Sequence, residues 1–258
     1  METVKPKKTK IKTLLTIVLV IAIIWGSVIN TQISFSTLIQ GLPNIADLIK
    51  EMFPPDWSYF GSITDQMLET IRMAVLGTTF GGIVAIPFAL LSSSNVVKIP
   101  VVYQIFRFIM NLIRTIPELL LAALFVPVFG IGELPGILAI AVFSFGIIAK
   151  LFYEAIEAID PGPLEAMTAV GANKFQWIFF GVIPQVTAHY MSFFLYSFEI
   201  NIRAAAILGY VGAGGVGLVL NTALGFFQYD RVLTIIIYTL IVVVIVDAVS
   251  NKIREKLL

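Results

Sequence analysis

The sequence predicts an all-α polytopic membrane protein with about six transmembrane helices, and three observations carry that reading. Of 258 residues, 58% are apolar and only 13% charged, against about 45–50% and about 25% in soluble domains. The apolar residues gather into long uncharged runs, Thr13–Ala46, Met73–Val97, Phe175–Phe198 and Ala204–Tyr229. A helix needs roughly 20 such residues to cross about 30 Å of hydrocarbon. The runs also lack the period-two alternation of barrel strands that enclose a polar lumen.

Taken in order, residues 1–12 form a basic tail carrying Lys5, Lys7, Lys8, Lys10 and Lys12. The first transmembrane helix follows at 13–30. It has no small-residue cleavage site after Trp25, so it reads as a retained span rather than a cleaved leader. Residues 31–65 hold Pro43, Pro54, Pro55, Trp57 and Tyr59 and read as an outer loop at the interface. A core with five further spans occupies 66–250: Thr70–Leu91, Val102–Phe129, Gly136–Phe152, Val186–Leu208 and Arg231–Val249. The second of these is long enough to tilt or to kink at Pro117 and Pro127. A short tail, 251–258, closes the chain with Lys252, Arg254 and Lys256. Lys98, Arg107, Lys150 and Lys174 fall on the same side as both tails, whereas Asp47, Glu51, Asp56 and Asp65 crowd the first loop. The bias of lysine and arginine toward the cytoplasm places both termini inside.

Several chemistries are excluded at this level. Without cysteine there is no disulfide, thiolate nucleophile or Cys-ligated metal. His189 is the only histidine and sits at the edge of a span, where an interfacial role fits better than a ligand or a base. No metal site and no basic block for nucleic acid stands out, and no Gly-x-x-x-x-Gly-Lys-Ser/Thr occurs for ATP hydrolysis. Paired carboxylates or a Ser/Lys dyad on one helix face, which an intramembrane enzyme would need, are likewise missing.

Two regions carry candidate function. The long inner loop, 153–185, reads as two short helices. Gly162 can cap the first, with Pro163 at its first position and Glu165 at its third, where an acid suits the helix dipole. Gly171 then supplies the left-handed residue that ends this helix. Asn173 caps the next one, with Gln176 three residues on. A capped helix projecting from the membrane makes a peg for a soluble partner. The second region is intramembrane: Arg114 with Glu118, and Glu199 with Arg203, stand four apart, so each pair would share a helix face. Either each arginine neutralises its glutamate, or the guanidinium groups face a cavity and receive an oxyanion through bidentate contacts. The cluster Gly209, Gly212, Gly214, Gly215 and Gly217 admits two readings as well, close helix packing or exposed amides that cradle an anion.

These residues resemble the permeases of ABC importers. Glu165-Ala166-Met167, Gly171 and Val182-Ile183-Pro184 match the spacing of the EAA loop in that family, with Met167, Gly181 and Ile183 as mild departures. Arg114-Thr-Ile-Pro-Glu118, Ile156-Glu-Ala-Ile-Asp-Pro161 and the segment Phe198–Gly217 are similar to permeases for phosphonates, and the resemblance covers roughly residues 60–250. It implies a MetI-like permease fold and a coupling helix at Pro163, Glu165, Ala166, Gly171 and Asn173 that docks on an ATPase. It also implies a substrate pathway for phosphonates or related phosphorus oxyanions through Arg114, Glu118, Glu199, Asn201, Arg203, Gly212, Gly214 and Gly215. Six spans would form half of a translocation pathway, so a homodimer is expected, isologous pairing being the commonest closure; the resemblance implies a chain of the inner membrane that binds no cofactor and works with ABC ATPase subunits, which use ATP and Mg, and a solute-binding protein. An ion-coupled secondary transporter would use similar intramembrane charges but would not need the peg.

Overall fold

The computed structural model describes residues 9–30 and 35–257, and every element in it is helical. Lys5, Lys7 and Lys8 of the basic tail lie outside the described residues, as does Leu258. The chain divides into two units, Met1–Glu51 and Met52–Leu258.

In the first unit, α1 (Thr9–Asn30) is apolar around its circumference and its described side chains are exposed, the pattern of a helix solvated by lipid. It starts earlier than the hydropathy suggests, within the lysine-rich tail. α2 (Phe35–Met52) overturns the expected outer loop. Ile39, Leu42, Ile45 and Ile49 recur at three and four residues and align on one face, while Gln40, Asn44, Asp47 and Lys50 lie on the other. The prolines of this region suggested a loop, yet Pro43 sits inside α2. One missing N–H is tolerated because the amphipathic repeat continues on both sides of it.

The second unit opens with a short helix, α3 (Tyr59–Ser62), and is built around α4 (Thr64–Ser92) packed against α7 (Glu133–Glu157). Glycine permits that contact: a Cβ on Gly77 would lie 2.5 Å from the Ile140 side chain, and one on Gly81 2.8 Å from the Phe145 backbone nitrogen. Small residues let helix backbones approach in this way where lipid supplies no hydrophobic drive between helices. The expected span Val102–Phe129 is two helices, α5 (Pro100–Arg114) and α6 (Glu118–Phe129), bent by 82°. Pro117 causes the break. It sits in extended conformation ahead of α6, and its ring disfavours helix in the residue before it. Pro127, by contrast, stays within α6.

α8 (Pro161–Ala169), α9 (Lys174–Gln176) and a six-residue π turn, Trp177–Val182, follow α7 and lead into α10 (Ile183–Leu208). A 3-10 turn at Gly209–Val211 and α11 (Val216–Gly225), a helix the sequence reading missed, precede α12 (Tyr229–Leu257). The expected tail 251–258 is therefore helical through Leu257. Among the described residues, five helices are long and apolar enough to span, or six when α5 and α6 count as one bent span.

Contacts at the two ends of the second unit show that its spans alternate in direction. At one end Arg231 lies 3.5 Å from Asp56, the Thr234 hydroxyl donates to the Asp56 carbonyl, and Gly132 N–H donates to Gly212 O. The Ser58 hydroxyl donates to Asp56 there, outweighs burial, and holds that carboxyl below its ordinary range. At the other end the α4–α5 connection meets the end of α7 and the α8 region. That end is consolidated by Met110, Phe145, Ile148, Phe152, Ile156 and Val186.

Candidate functional site

The peg is α8. Its cap is Asp160 rather than Gly162: Asp160 Oδ1 accepts from the Gly162 N–H at 2.9 Å, and Pro161 takes the first helical position. Two prolines and a glycine in succession hid this, because the carboxylate that accepts lies one residue before the first proline. Leu164 is the anchor. It is buried beside Val182 and Val186, its carbonyl accepts from the Trp177 indole at 3.1 Å, and a Cβ on Gly181 would meet its side chain at 3.0 Å. Pro163, Glu165 and Ala166 are exposed. Gly171 adopts φ +75°, and its N–H and that of Ala172 satisfy Thr168 O and Met167 O. Asn173 and Gln176 form the expected capping box, at 3.0 and 2.9 Å. Val170 and Phe175, 78% and 86% exposed, leave an apolar tip on the connection between the two helices.

A polar latch that sequence reasoning missed holds the base of this peg. Glu157 accepts from the Ser94 N–H at 2.7 Å, from the Ser94 hydroxyl, and from Arg107 at 2.5 Å. Arg107 also donates to Ser92 O and stacks on Tyr103 and Tyr153, 4.8 Å from each ring centre. The Lys174 ammonium donates to Val96 O and lies 4.3 Å from the Trp177 ring centre, while Gln185 ties the Asp160 N–H to Gly181 O. Fifty residues separate Arg107 from Glu157, so no local pattern announces the pair.

The intramembrane candidates divide. Because α5 ends at Arg114 and α6 begins at Glu118, the two do not share a face, and no ion pair joins them. Glu118 instead occupies the first turn of α6, where its charge suits the helix dipole. Arg114 lines a groove of about 430 Å³ with Lys150, Glu154 and Tyr196. Glu199 and Arg203 do pair, at 2.8 Å, but Glu199 is bridged again by Arg254 at 2.8 Å, which ties the pair to the last turns of α12. Asn201 is fully buried and faces neighbouring helices, donating to Thr78 and Ser144 at 2.7 and 2.6 Å.

The glycine cluster packs closely against its neighbours. Gly212 (φ +87°) donates to Gly209 O. A Cβ on Gly214 would collide with the Glu69 carboxylate, and one on Gly215 would lie 2.6 Å from the Thr70 hydroxyl. That hydroxyl already accepts from the Val216 N–H at 2.8 Å, and the nearby carboxylate would repel an anion. Among the described residues, no group of His, Asp and Glu side chains could hold a metal ion.

Comparison with known proteins agrees with this arrangement. The chain is 36% identical over 240 residues to the phosphite transport system permease protein PtxC of Stutzerimonas stutzeri, covering 91% of this chain and 87% of that one. It is 39% identical over 223 residues to the phosphate-import permease protein PhnE of Mycolicibacterium smegmatis, covering 86% of this chain but 42% of that protein. PhnE2 of Escherichia coli K12, named for cryptic phosphonate transport, is 41% identical over 118 residues, 46% of this chain and 97% of that one. A chain of the inward-facing MetNI methionine ABC transporter superposes with TM-score 0.69 over 79% of this chain and 99% of that chain, at 22% identity. That likeness establishes the MetI-type fold. The family model for the binding-protein-dependent transport system inner membrane component matches residues 77–257. The chain belongs to that family: it is a multi-pass inner-membrane permease subunit of an ABC transporter, not itself catalytic, whose ATPase is a separate chain and which works with a binding protein.

Proposed function

We propose that the chain forms half of the translocation pathway of an importer for phosphorus oxyanions, with phosphonates as the first candidates, and that it works as a homodimer. Six spans make half a pathway, and isologous pairing is the commonest closure. The reading of substrate class is supported by relatives named for phosphite, phosphate and phosphonate transport. In this reading α8 docks on the ATPase through Pro163, Glu165 and Ala166, with Gly171 and Asn173 setting the turn behind it. Both termini and α8 then face the cytoplasm, consistent with Lys98, Lys174 and Lys252 at that end. The observation that carries the coupling role is the exposed, doubly capped α8, anchored at Leu164 and braced by the Glu157–Arg107 latch.

The substrate class is tested by purifying the cognate binding protein and identifying the ligand it retains. A phosphonate, phosphite or phosphate is expected. An amino acid or a quaternary ammonium compound would overturn the proposal.

A further inference from the structure

We infer that the groove between the end of α5, α7 and α10 is a way-station for a tetrahedral phosphorus oxyanion, bound by Arg114, Lys150 and Tyr196; this rests on the substrate class proposed above. The groove is walled by α7 and α10, two of the helices long and apolar enough to cross a membrane. A Cβ on Gly146, near the middle of α7, would be 3.2 Å from the Arg114 Cβ, so the missing side chain lets α5 deliver Arg114 onto the centre of that helix. Phe143, Ile147, Lys150 and Glu154 recur at three and four residues and form a single stripe of α7, with Tyr196 of α10 across from it.

An arginine held against lipid is costly, so this stripe faces water or a second copy of the chain. The two intramembrane arginines differ in a way that selects one of them. Arg203 is paired with Glu199 and borders a groove whose other walls are mainly apolar, Ile207, Val216, Leu220 and Val243 among them. Arg114 has neither a carboxylate partner nor a hydrogen bond among the described residues. Its position in the last turn of α5 therefore does not account for it, since it caps none of that helix's carbonyls.

Within the groove Lys150 is held only loosely by Glu154, at 3.7 Å, so two cations stand against one carboxylate. A guanidinium offers two parallel N–H donors to adjacent oxygens of a tetrahedral anion, the ammonium adds a point charge, and the Tyr196 hydroxyl adds a neutral donor. At about 430 Å³ the groove exceeds a small phosphonate and leaves room for water. Weak, hydrated binding is what a transit site needs, because a tight site would retain its cargo. A phospholipid headgroup carries the same phosphate chemistry, so the test separates the two sources.

The complete transporter, with its ATPase and binding protein, is reconstituted in vesicles of phosphatidylcholine alone and in vesicles with added phosphatidylglycerol. ATP-dependent uptake of methylphosphonate, phosphite and inorganic phosphate is measured for wild type, Arg114→Gln, Lys150→Gln, Tyr196→Phe and Arg114→Lys. Each Gln variant is expected to lower maximal uptake about tenfold in both lipids, Tyr196→Phe about threefold, and Arg114→Lys to keep part of the rate. Co-purification of each variant with the ATPase reports assembly separately from transport. A deficit confined to phosphatidylglycerol vesicles would assign the groove to a lipid headgroup and overturn the transit role. Wild-type uptake by the Arg114→Gln/Lys150→Gln double variant would overturn the site altogether. If that double variant does not assemble, the ³¹P line width of methylphosphonate on the wild-type transporter without binding protein decides, and an unbroadened line overturns the site. Uptake of none of the three anions by the wild type would refute the substrate class instead, a separate failure.

Discussion

Replacing Gly171 by valine isolates one physical quantity, the cost of a left-handed backbone at the turn behind the coupling helix. Gly171 sits at φ +75° with nothing within 4 Å of a built Cβ, so a substitution there meets no atoms and strains only the backbone. Holding a residue with a Cβ in the left-handed region costs about 1–2 kcal/mol, or a shift of about 5- to 30-fold in the population of the correct turn at 1.4 kcal/mol per tenfold. A β-branched side chain costs more, whereas asparagine visits this region readily. The predicted order of transport coupling is therefore Gly, Asn, Ala, Val. The turn aligns Val170 and Ala172 through the bonds to Ala166 O and Met167 O, and α8 itself stays anchored by Leu164. The Val variant should insert and bind its ATPase, hydrolyse ATP, and lose most of its uptake per ATP. The assay is uptake and ATP hydrolysis measured together in the same vesicles. Full coupling in the Val variant would refute the strain argument, and so would an Asn variant as defective as Val.

Three further outcomes follow from contacts. Glu157→Gln removes a charged acceptor from Arg107 and Ser94 and should destabilise the protein by about 1–3 kcal/mol; a double-mutant cycle with Arg107→Gln should show coupling, and additive effects would contradict the latch. Gly81→Ala should abolish assembly, because its Cβ would run into the Ala141 and Phe145 backbone, whereas Gly61→Ala meets nothing within 4 Å and should express as wild type; equal size-exclusion profiles would contradict the packing account. Because Glu199 is shared by Arg203 and Arg254, Arg203→Ala alone should leave the protein assembled, and Glu199→Gln with Arg203→Ala should transport normally if the pair is structural; strong loss of uptake in that double variant with intact assembly would place Arg203 on the substrate path.

What could be read from the sequence was what depends on short range. The spans follow from hydropathy, and the Gly171 turn and the Asn173–Gln176 box follow from residues within a few positions of one another. The misreadings share a cause. Pro43 masks an amphipathic repeat present in 39–49, and Gly162 reads as the cap because the accepting Asp160 precedes two prolines. The Arg114–Glu118 spacing implied a shared face only while a continuous helix was assumed, and the Pro117 break removed it. Gly214 and Gly215 read equally as cradle or packing in the sequence, because Glu69 and Thr70, which lie against them, are far away along the chain. The latch and the Arg114 groove depend on pairs such as Arg107 with Glu157 and Arg114 with Lys150, which only the folded chain brings together.

The central claim is that this permease moves a phosphorus oxyanion using ATP hydrolysed by a separate chain that α8 engages. The most direct measurement is uptake of methylphosphonate, phosphite and phosphate into vesicles containing the chain and its binding protein, with and without the ATPase. Uptake of at least one of the three is predicted, strictly dependent on the ATPase and on ATP, and insensitive to proton or sodium gradients. Uptake that persists without the ATPase, or that follows an ion gradient, would contradict the account.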